Sequence, residues 1–222
     1  MRHILKILTI AKATPDVLHI VLEKPSDLTF LPGQAADISI NKSPWEEELR
    51  PFTFTSLPTD NTLEFLIKTY PDHHGVTNEL LELNINDELI IHDVFGDIQY
   101  KGEGIFIAGG AGVTPFVAIF KDLEEKNLIG NNKLIFANKT VDDIIDKDVF
   151  DALLGKNFIN VLSKESVEGY ETGYITKELI GRCIDKDGLY FYLCGPEPMM
   201  EAVEAQLATL GIAPEFIVKE AF

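Results

Sequence analysis

The periodicity of the chain changes near Gly102, and that change fixes what it can fold into. Before it, short β-branched or aromatic runs at 4–10, 17–23, 36–40, 52–56, 63–68 and 88–94 are separated by turn residues. Pro32-Gly33 and Pro58-Thr59-Asp60-Asn61 are turn chemistry, and only 75–83 reads as a helix. After Gly102, apolar strands at 105–108, 133–137, 158–162 and 189–193 are each followed by a helical pattern, at 115–126, 142–154, 176–183 and 198–210. A final strand is expected at 216–219. The first pattern predicts a closed antiparallel β-barrel, the second a doubly wound α/β domain with a mostly parallel sheet. The boundary falls near 97–104, dividing the 222 residues into 1–100 and 101–222. An apolar share of 45% with 14 Phe is enough for two cores of that size.

Three short segments carry the chemistry. Arg50-Pro51-Phe52-Thr53 offers a cation, a ring and a hydroxyl on an alternating run, with Arg50 and Phe52 on one face and Thr53 on the other. On residues alone it could equally be an amphipathic strand with a surface arginine. Gly109-Gly110-Ala111-Gly112-Val113-Thr114-Pro115 is a strand-to-helix turn almost without side chains. Such a turn lets backbone amides meet a pyrophosphate, and Pro115 sits where a missing amide does no harm. Cys194-Gly195-Pro196-Glu197-Pro198-Met199 ends a second apolar strand with a lone thiol, at the edge where open α/β sheets place ligands. A single cysteine is otherwise a small buried hydrophobe. His74-Gly75-Val76-Thr77-Asn78 adds a fourth element, a glycine and a hydroxyl beside free amides, or a plainly capped helix.

In that order the segments resemble the ferredoxin–NADP reductase superfamily over nearly the whole chain. Arg50-x-Phe52-Thr53 is similar to the family's Arg-x-Tyr-Ser, with Phe for Tyr and Thr for Ser. Gly75-x-Thr77 resembles its Gly-x-x-Ser/Thr motif, and 109–115 resembles Gly-Gly-Thr-Gly-Ile-Thr-Pro with Ala111 for Thr. The resemblance implies that FAD is held by Arg50, Phe52, Thr53, the backbone at Lys68, and Gly75, Val76 and Thr77. It implies that NADH or NADPH is held by Gly110, Gly112, Thr114, Pro115, Gly195, Pro196 and Met199. It makes Thr53, Cys194 and Glu220 the catalytic residues, with the Phe222 ring near the flavin. Ser163-Lys164 stands where NADPH users carry Ser-Arg, but a lysine lacks the bidentate fork and Glu165 and Glu168 oppose a phosphate, which favours NADH.

The expected function is therefore an NAD(P)H-dependent flavoprotein reductase passing electrons to a separate acceptor such as a ferredoxin, a flavodoxin or a similar carrier. The rivals are an electron-transfer subunit of a larger enzyme and a flavin-binding module without activity. A net charge of −17 argues against nucleic acid or anionic membrane as partner. Two cysteines without a Cys-x-x-Cys pair cannot supply the roughly four soft ligands of a zinc or iron–sulfur site, so no metal is expected; His73-His74 reads as a solvated loop pair. Lys6 interrupts the apolar N-terminus, and nothing approaches the roughly 20 apolar residues of a membrane span, so a soluble cytoplasmic protein is expected.

Overall fold

The computed structural model describes residues 2–220. Six strands, β1 (His3–Thr14), β2 (Val17–Glu23), β3 (Ala35–Ile40), β4 (Arg50–Thr53), β5 (Thr62–Lys68) and β6 (Glu88–Phe95), form an antiparallel sheet in the order β4-β3-β6-β1-β2-β5. It closes into a barrel because the chain leaving β4 changes partner. Phe54 bridges to Phe65, and the Thr55 amide donates to the Glu64 carbonyl at 2.8 Å. The alternation expected over 52–56 is thus split: the strand starts at Arg50, ends at Thr53, and its continuation seals the barrel.

Alternation also sets the barrel core. Leu5 and Ile7 of β1 point inward while Ile4 and Lys6 face out, and the interior collects Leu18, Ile20, Leu22, Phe54, Phe65, Leu89 and Ile91. Phe30 stacks on Phe54 at 4.1 Å. Burying each such side chain contributes about 1.5–3 kcal/mol. The helix expected at 75–83 is one α turn, α1 (Val76–Glu79), tightening into a 3₁₀ turn at Leu80–Glu82. Gly75 is its N-cap with no side-chain cap bond, and Val76 is buried. So short a helix offers local amides there rather than a summed dipole.

The second half holds β7 (Gly104–Gly109), α2 (Thr114–Glu125), β8 (Lys133–Asn138), α3 (Lys147–Leu154), β9 (Phe158–Leu162), β10 (Glu171–Thr172), α4 (Lys177–Cys183), β11 (Tyr190–Cys194), α5 (Glu197–Thr209) and β12 (Ile217–Val218). All pairs in the sheet β10-β9-β8-β7-β11-β12 are parallel. One helix pattern breaks. The run expected at 142–154 is a 3₁₀ turn at Val141–Asp143 and then α3, separated by Asp146 at φ +50°. The two-residue β10 has no sequence signal at all.

The last strand of the barrel ends at Phe95 and the first of the parallel sheet starts at Gly104. The Tyr192 hydroxyl holds this connection, accepting from the amides of Lys101 and Gly102 at 2.9 and 3.0 Å and donating to the Gly102 carbonyl at 2.7 Å. Val17 and Leu66 of the barrel belong to the same apolar cluster as Phe116, Val117 and Phe120 of α2, so the two halves share a packed seam.

Candidate functional site

The parallel sheet runs outward in two directions from its centre. From β7 the chain builds β8 and β9 on one side, then returns to lay β11 and β12 on the other, so the order reverses between β7 and β11. Ala108 is in register with Cys194, which sets the carboxyl ends of both strands side by side. A crevice opens there in such sheets.

The two turns leaving these strands are packed against each other. A Cβ on Gly112 would lie 2.3 Å from the Cys194 carbonyl oxygen, and one on Gly109 would lie 2.6 Å from the Met199 sulfur. Pro196 and Met199 cover this junction, and a Cβ on Gly195 would strike the Met199 methyl at 2.4 Å. Gly110 differs. Its φ of +52° suits glycine, and a Cβ there would meet nothing within 4 Å. Thr114 is buried, and its hydroxyl donates to the Ala111 carbonyl at 2.9 Å, so it braces the turn from within. Pro115 is likewise buried in the first turn of α2.

A cleft of about 730 Å³ lies over this junction. Gly110, Gly112, Cys194, Gly195, Pro196 and Met199 line one wall, and Pro51, Lys68 and Tyr70 of the barrel line the other. Residues two apart on a strand share a face, so Thr53 stands on the side of Pro51. Phe52 is on the opposite side and leans on the barrel core. Arg50 is exposed; its guanidinium donates to the Leu49 carbonyl at 2.6 Å and lies 3.6 Å from Glu48. The Lys68 ammonium is tied to Asp16 at 2.5 Å. A Cβ on Gly75 would meet nothing nearer than 3.9 Å and its φ is −106°, so neither packing nor backbone requires a glycine there.

Cys194 is half-buried, and its thiol is pushed up to about 12, first by burial and then by the Glu220 carboxylate. It is therefore a neutral S–H at any physiological pH. Glu220 accepts from the Asp97 amide at 3.2 Å and lines an adjoining depression of about 480 Å³ that shares Gly195 with the cleft. Phe222 lies outside the described residues. The cleft thus brings together Lys68 and the glycine and cysteine turns. Arg50, Phe52, Thr53, Gly75, Val76, Thr77, Thr114, Pro115 and Glu220 are not among its lining residues.

The cleft has further residues that motif reading passed over. Tyr174, 82% exposed, and Tyr70 flank it from the two halves. Asn138 lines it at the end of β8, Lys139 and Asp143 line it after β8, and Ser163, already singled out in the sequence beside Lys164, lines it after β9. Asp143 accepts from the Thr140 amide and hydroxyl, and Glu165 accepts from the Val141 amide at 2.9 Å. Their position after parallel strands was the available signal. Among the described residues, no group of His, Cys, Asp or Glu is placed to hold a metal, and no helix is long and apolar enough to cross a membrane.

Two family models match the chain: an FAD-binding domain over residues 2–102 and an oxidoreductase NAD-binding domain over residues 106–205. A Ralstonia protein named as the ferredoxin–NAD(P)(+) reductase component of naphthalene 1,2-dioxygenase/salicylate 5-hydroxylase systems is 29% identical over 96% of the chain and 66% of that protein. The toluate 1,2-dioxygenase electron transfer component of Pseudomonas putida is 30% identical over 89% of the chain and 60% of its own length. The chain thus spans about three-fifths to two-thirds of these relatives. A ferredoxin NADP+ reductase from Neisseria gonorrhoeae, solved with FAD and NADP, superposes with a TM-score of 0.86 at 18% identity, covering 99% of the chain and 98% of that structure, which shows a shared fold.

Proposed function

The chain belongs to the ferredoxin–NADP reductase superfamily, joining an FAD-binding to an NAD-binding domain, and we propose that it is an NAD(P)H-dependent flavoprotein reductase delivering electrons to a separate acceptor. In this reading residues 1–100 form the flavin domain and 101–222 the nicotinamide nucleotide domain. The observation that carries it is the cleft in which the turn at 109–112 and Cys194 face Pro51 and Lys68 of the barrel.

The residues present fit both nucleotides. Gly110 leaves open space at the cleft wall where a Cβ would intrude, as a pyrophosphate on backbone amides requires. Gly75, which neither packing nor backbone requires, and the exposed Arg50 guanidinium are left for the flavin nucleotide, the guanidinium as its anion partner. Arg50, Phe52, Thr53, the backbone at Lys68, and Gly75, Val76 and Thr77 would hold FAD; for Val76, which is buried, only the backbone is available. Bound FAD accepts a hydride and can release electrons singly. The protein's own part is positioning, worth several kcal/mol when reacting atoms are held about 3–3.5 Å apart. Thr53 presents a hydroxyl, Cys194 a neutral thiol that neither attacks nor adds charge, and Glu220 a carboxylate anchored on the Asp97 amide. Phe222 is assigned a place beside the flavin on sequence alone.

We read the nucleotide as NADH. The Asp143 carboxylate on the cleft wall suits ribose hydroxyls and repels a 2′-phosphate, and Glu165 sits beside it on the Val141 amide. A small redox carrier is the acceptor, in line with relatives named as electron transfer components, and a subunit within a larger oxygenase system is the second reading that those names favour. A reducing compartment such as the cytoplasm suits two unpaired thiols. The purified protein should be yellow and release FAD rather than FMN on heating. Turnover of NADH and NADPH against a panel of one-electron acceptors tests the activity. A colourless protein that fails to take up FAD would overturn the reading.

A further inference from the structure

The seam between the two halves is mostly apolar, yet four titratable groups, from β2, β5, α2 and the residue before α3, meet beside it. Lys121 of α2 donates to the Thr55 carbonyl at 2.8 Å and lies 3.4 Å from the Glu64 carboxylate of β5. His19 of β2 reaches the same Glu64 oxygen at 3.3 Å, and the Asp146 carboxyl, just before α3, interacts with both Lys121 and His19. All but Asp146 keep about a third of their side chains exposed. Desolvating such groups adds little net stability compared with an apolar seam. An apolar contact alone, however, is non-directional and lets surfaces slide, whereas an ammonium aimed at one carbonyl fixes a register.

The two ends of that contact are not arbitrary. Thr55 lies two residues beyond Thr53 on the segment that closes the barrel, and α2 grows directly out of the turn at 109–113. We propose that Lys121 is a positioning residue, locking the nucleotide-binding turn to the flavin-binding strand at the distance hydride transfer needs. This rests on the reductase reading above. Lys121 is about 10 Å along α2 from the turn at 1.5 Å per residue, and a rigid helix that slides by about 1 Å once this contact is lost carries the turn with it. A displacement of that size can slow a reaction roughly a hundredfold. The apolar contacts of Val17 and Leu66 with α2 would survive such a slide, so folding alone does not require Lys121.

The test uses FAD-loaded protein carrying Lys121→Met or Lys121→Arg. At saturating NADH or NADPH, anaerobic stopped-flow should show flavin reduction slowed about tenfold or more in Lys121→Met, with the half-saturating concentration within about twofold of wild type. Lys121→Arg, which can still donate to Thr55, should recover most of the rate. Hydrogen exchange should rise in Thr62–Lys68 and Thr114–Glu125 of Lys121→Met and stay unchanged in α5. If Lys121→Met does not load FAD, Lys121→Gln replaces it and the same contrast with Lys121→Arg applies. Normal reduction in a loaded Lys121→Met protein overturns the inference and leaves the reductase reading standing, as does slowed reduction without a change in exchange at the seam. A wild-type protein that neither nucleotide reduces overturns both.

Discussion

Gly112 packs so closely on Cys194 that a Cβ would fall 2.3 Å from the Cys194 carbonyl oxygen and 2.5 Å from its carbon. Both contacts are backbone, so no side chain can move aside. Gly112→Ala should force the two turns apart and lower stability by about 1–3 kcal/mol, the range for overpacking. Gly110→Ala meets no atom, and its penalty is the left-handed φ, about 1–2 kcal/mol. Because its methyl would stand at the cleft wall, Gly110→Ala should weaken nicotinamide nucleotide binding more than its stability loss suggests. Denaturant midpoints and nucleotide titrations on both variants check the contrast. Equal effects on both measurements would mean that Gly110 does not face the nucleotide.

Among the described residues the Arg50 guanidinium makes only weak surface contacts with its own neighbours, Leu49 and Glu48. Removing it should leave the protein without flavin as stable as before. If it serves the flavin pyrophosphate, Arg50→Ala should weaken FAD binding by about 1.5–3 kcal/mol, the value of a hydrogen bond to a charged group. Flavin fluorescence titration reads this directly, and an unchanged dissociation constant removes Arg50 from the site.

What the sequence revealed and what it hid have separate physical causes. The barrel and the doubly wound sheet were legible because alternation and turn residues act within a few positions. The glycine turn was legible because a chain that must approach another backbone leaves side chains out, and a Cβ at Gly112 shows what they would strike. The seam was not legible. Lys121 and Thr55 lie 66 residues apart, and a lysine in the run Phe116 to Glu124 has no local pattern to betray a partner. The break before α3 was hidden for a related reason. Asp146 adopts φ +50° among residues that otherwise continue a helical pattern. Phe54 fits the strand alternation but changes partner to close the barrel, a requirement of topology that no window around it contains.

The Cys194 thiol, raised to about 12 by burial and then by Glu220, should behave as an uncharged group. At pH 8 the thiolate share is then about one part in ten thousand, against roughly a quarter for a free cysteine near 8.5. Alkylation by iodoacetamide should be slow at pH 8 and should rise about tenfold per pH unit without levelling off up to about pH 11. Cys194→Ala should keep its FAD yet slow flavin reduction at saturating nucleotide, about tenfold for each 1.4 kcal/mol of lost alignment. Rapid alkylation at pH 8 would contradict the neutral thiol. A normal reduction rate in the loaded variant would leave the Cys194 side chain as packing against the apolar cluster that includes α2.

Asp146 provides the pH test of the seam. Burial pushes its carboxyl above the usual range, Lys121 and His19 pull it down, and Glu64 adds to the rise. A raised carboxyl pKa means that the folded protein disfavours the ionised form relative to the unfolded chain. Below the ordinary aspartate value, near 3.9, the group is protonated in both states and carries no penalty. As pH climbs through that value and then through the higher folded one, the penalty develops, and above both it is constant. Asp146→Asn removes the charge while keeping the shape, and asparagine tolerates the left-handed backbone at this position. The variant should melt higher than wild type at pH 7, and the advantage should shrink to nothing below about pH 4. Glu64 runs the other way. Its carboxyl is lowered, first by the hydrogen bond with His19 and also by Lys121, so its stabilisation is present above the ordinary glutamate range and lost on acidification. Glu64→Gln should therefore melt lower than wild type at pH 7 and converge with it in acid. Melting curves of the three proteins from pH 3.5 to 8 decide the matter. If Asp146→Asn melts lower at pH 7, attraction from Lys121 outweighs desolvation, and Asp146 must be counted among the groups that hold the seam closed.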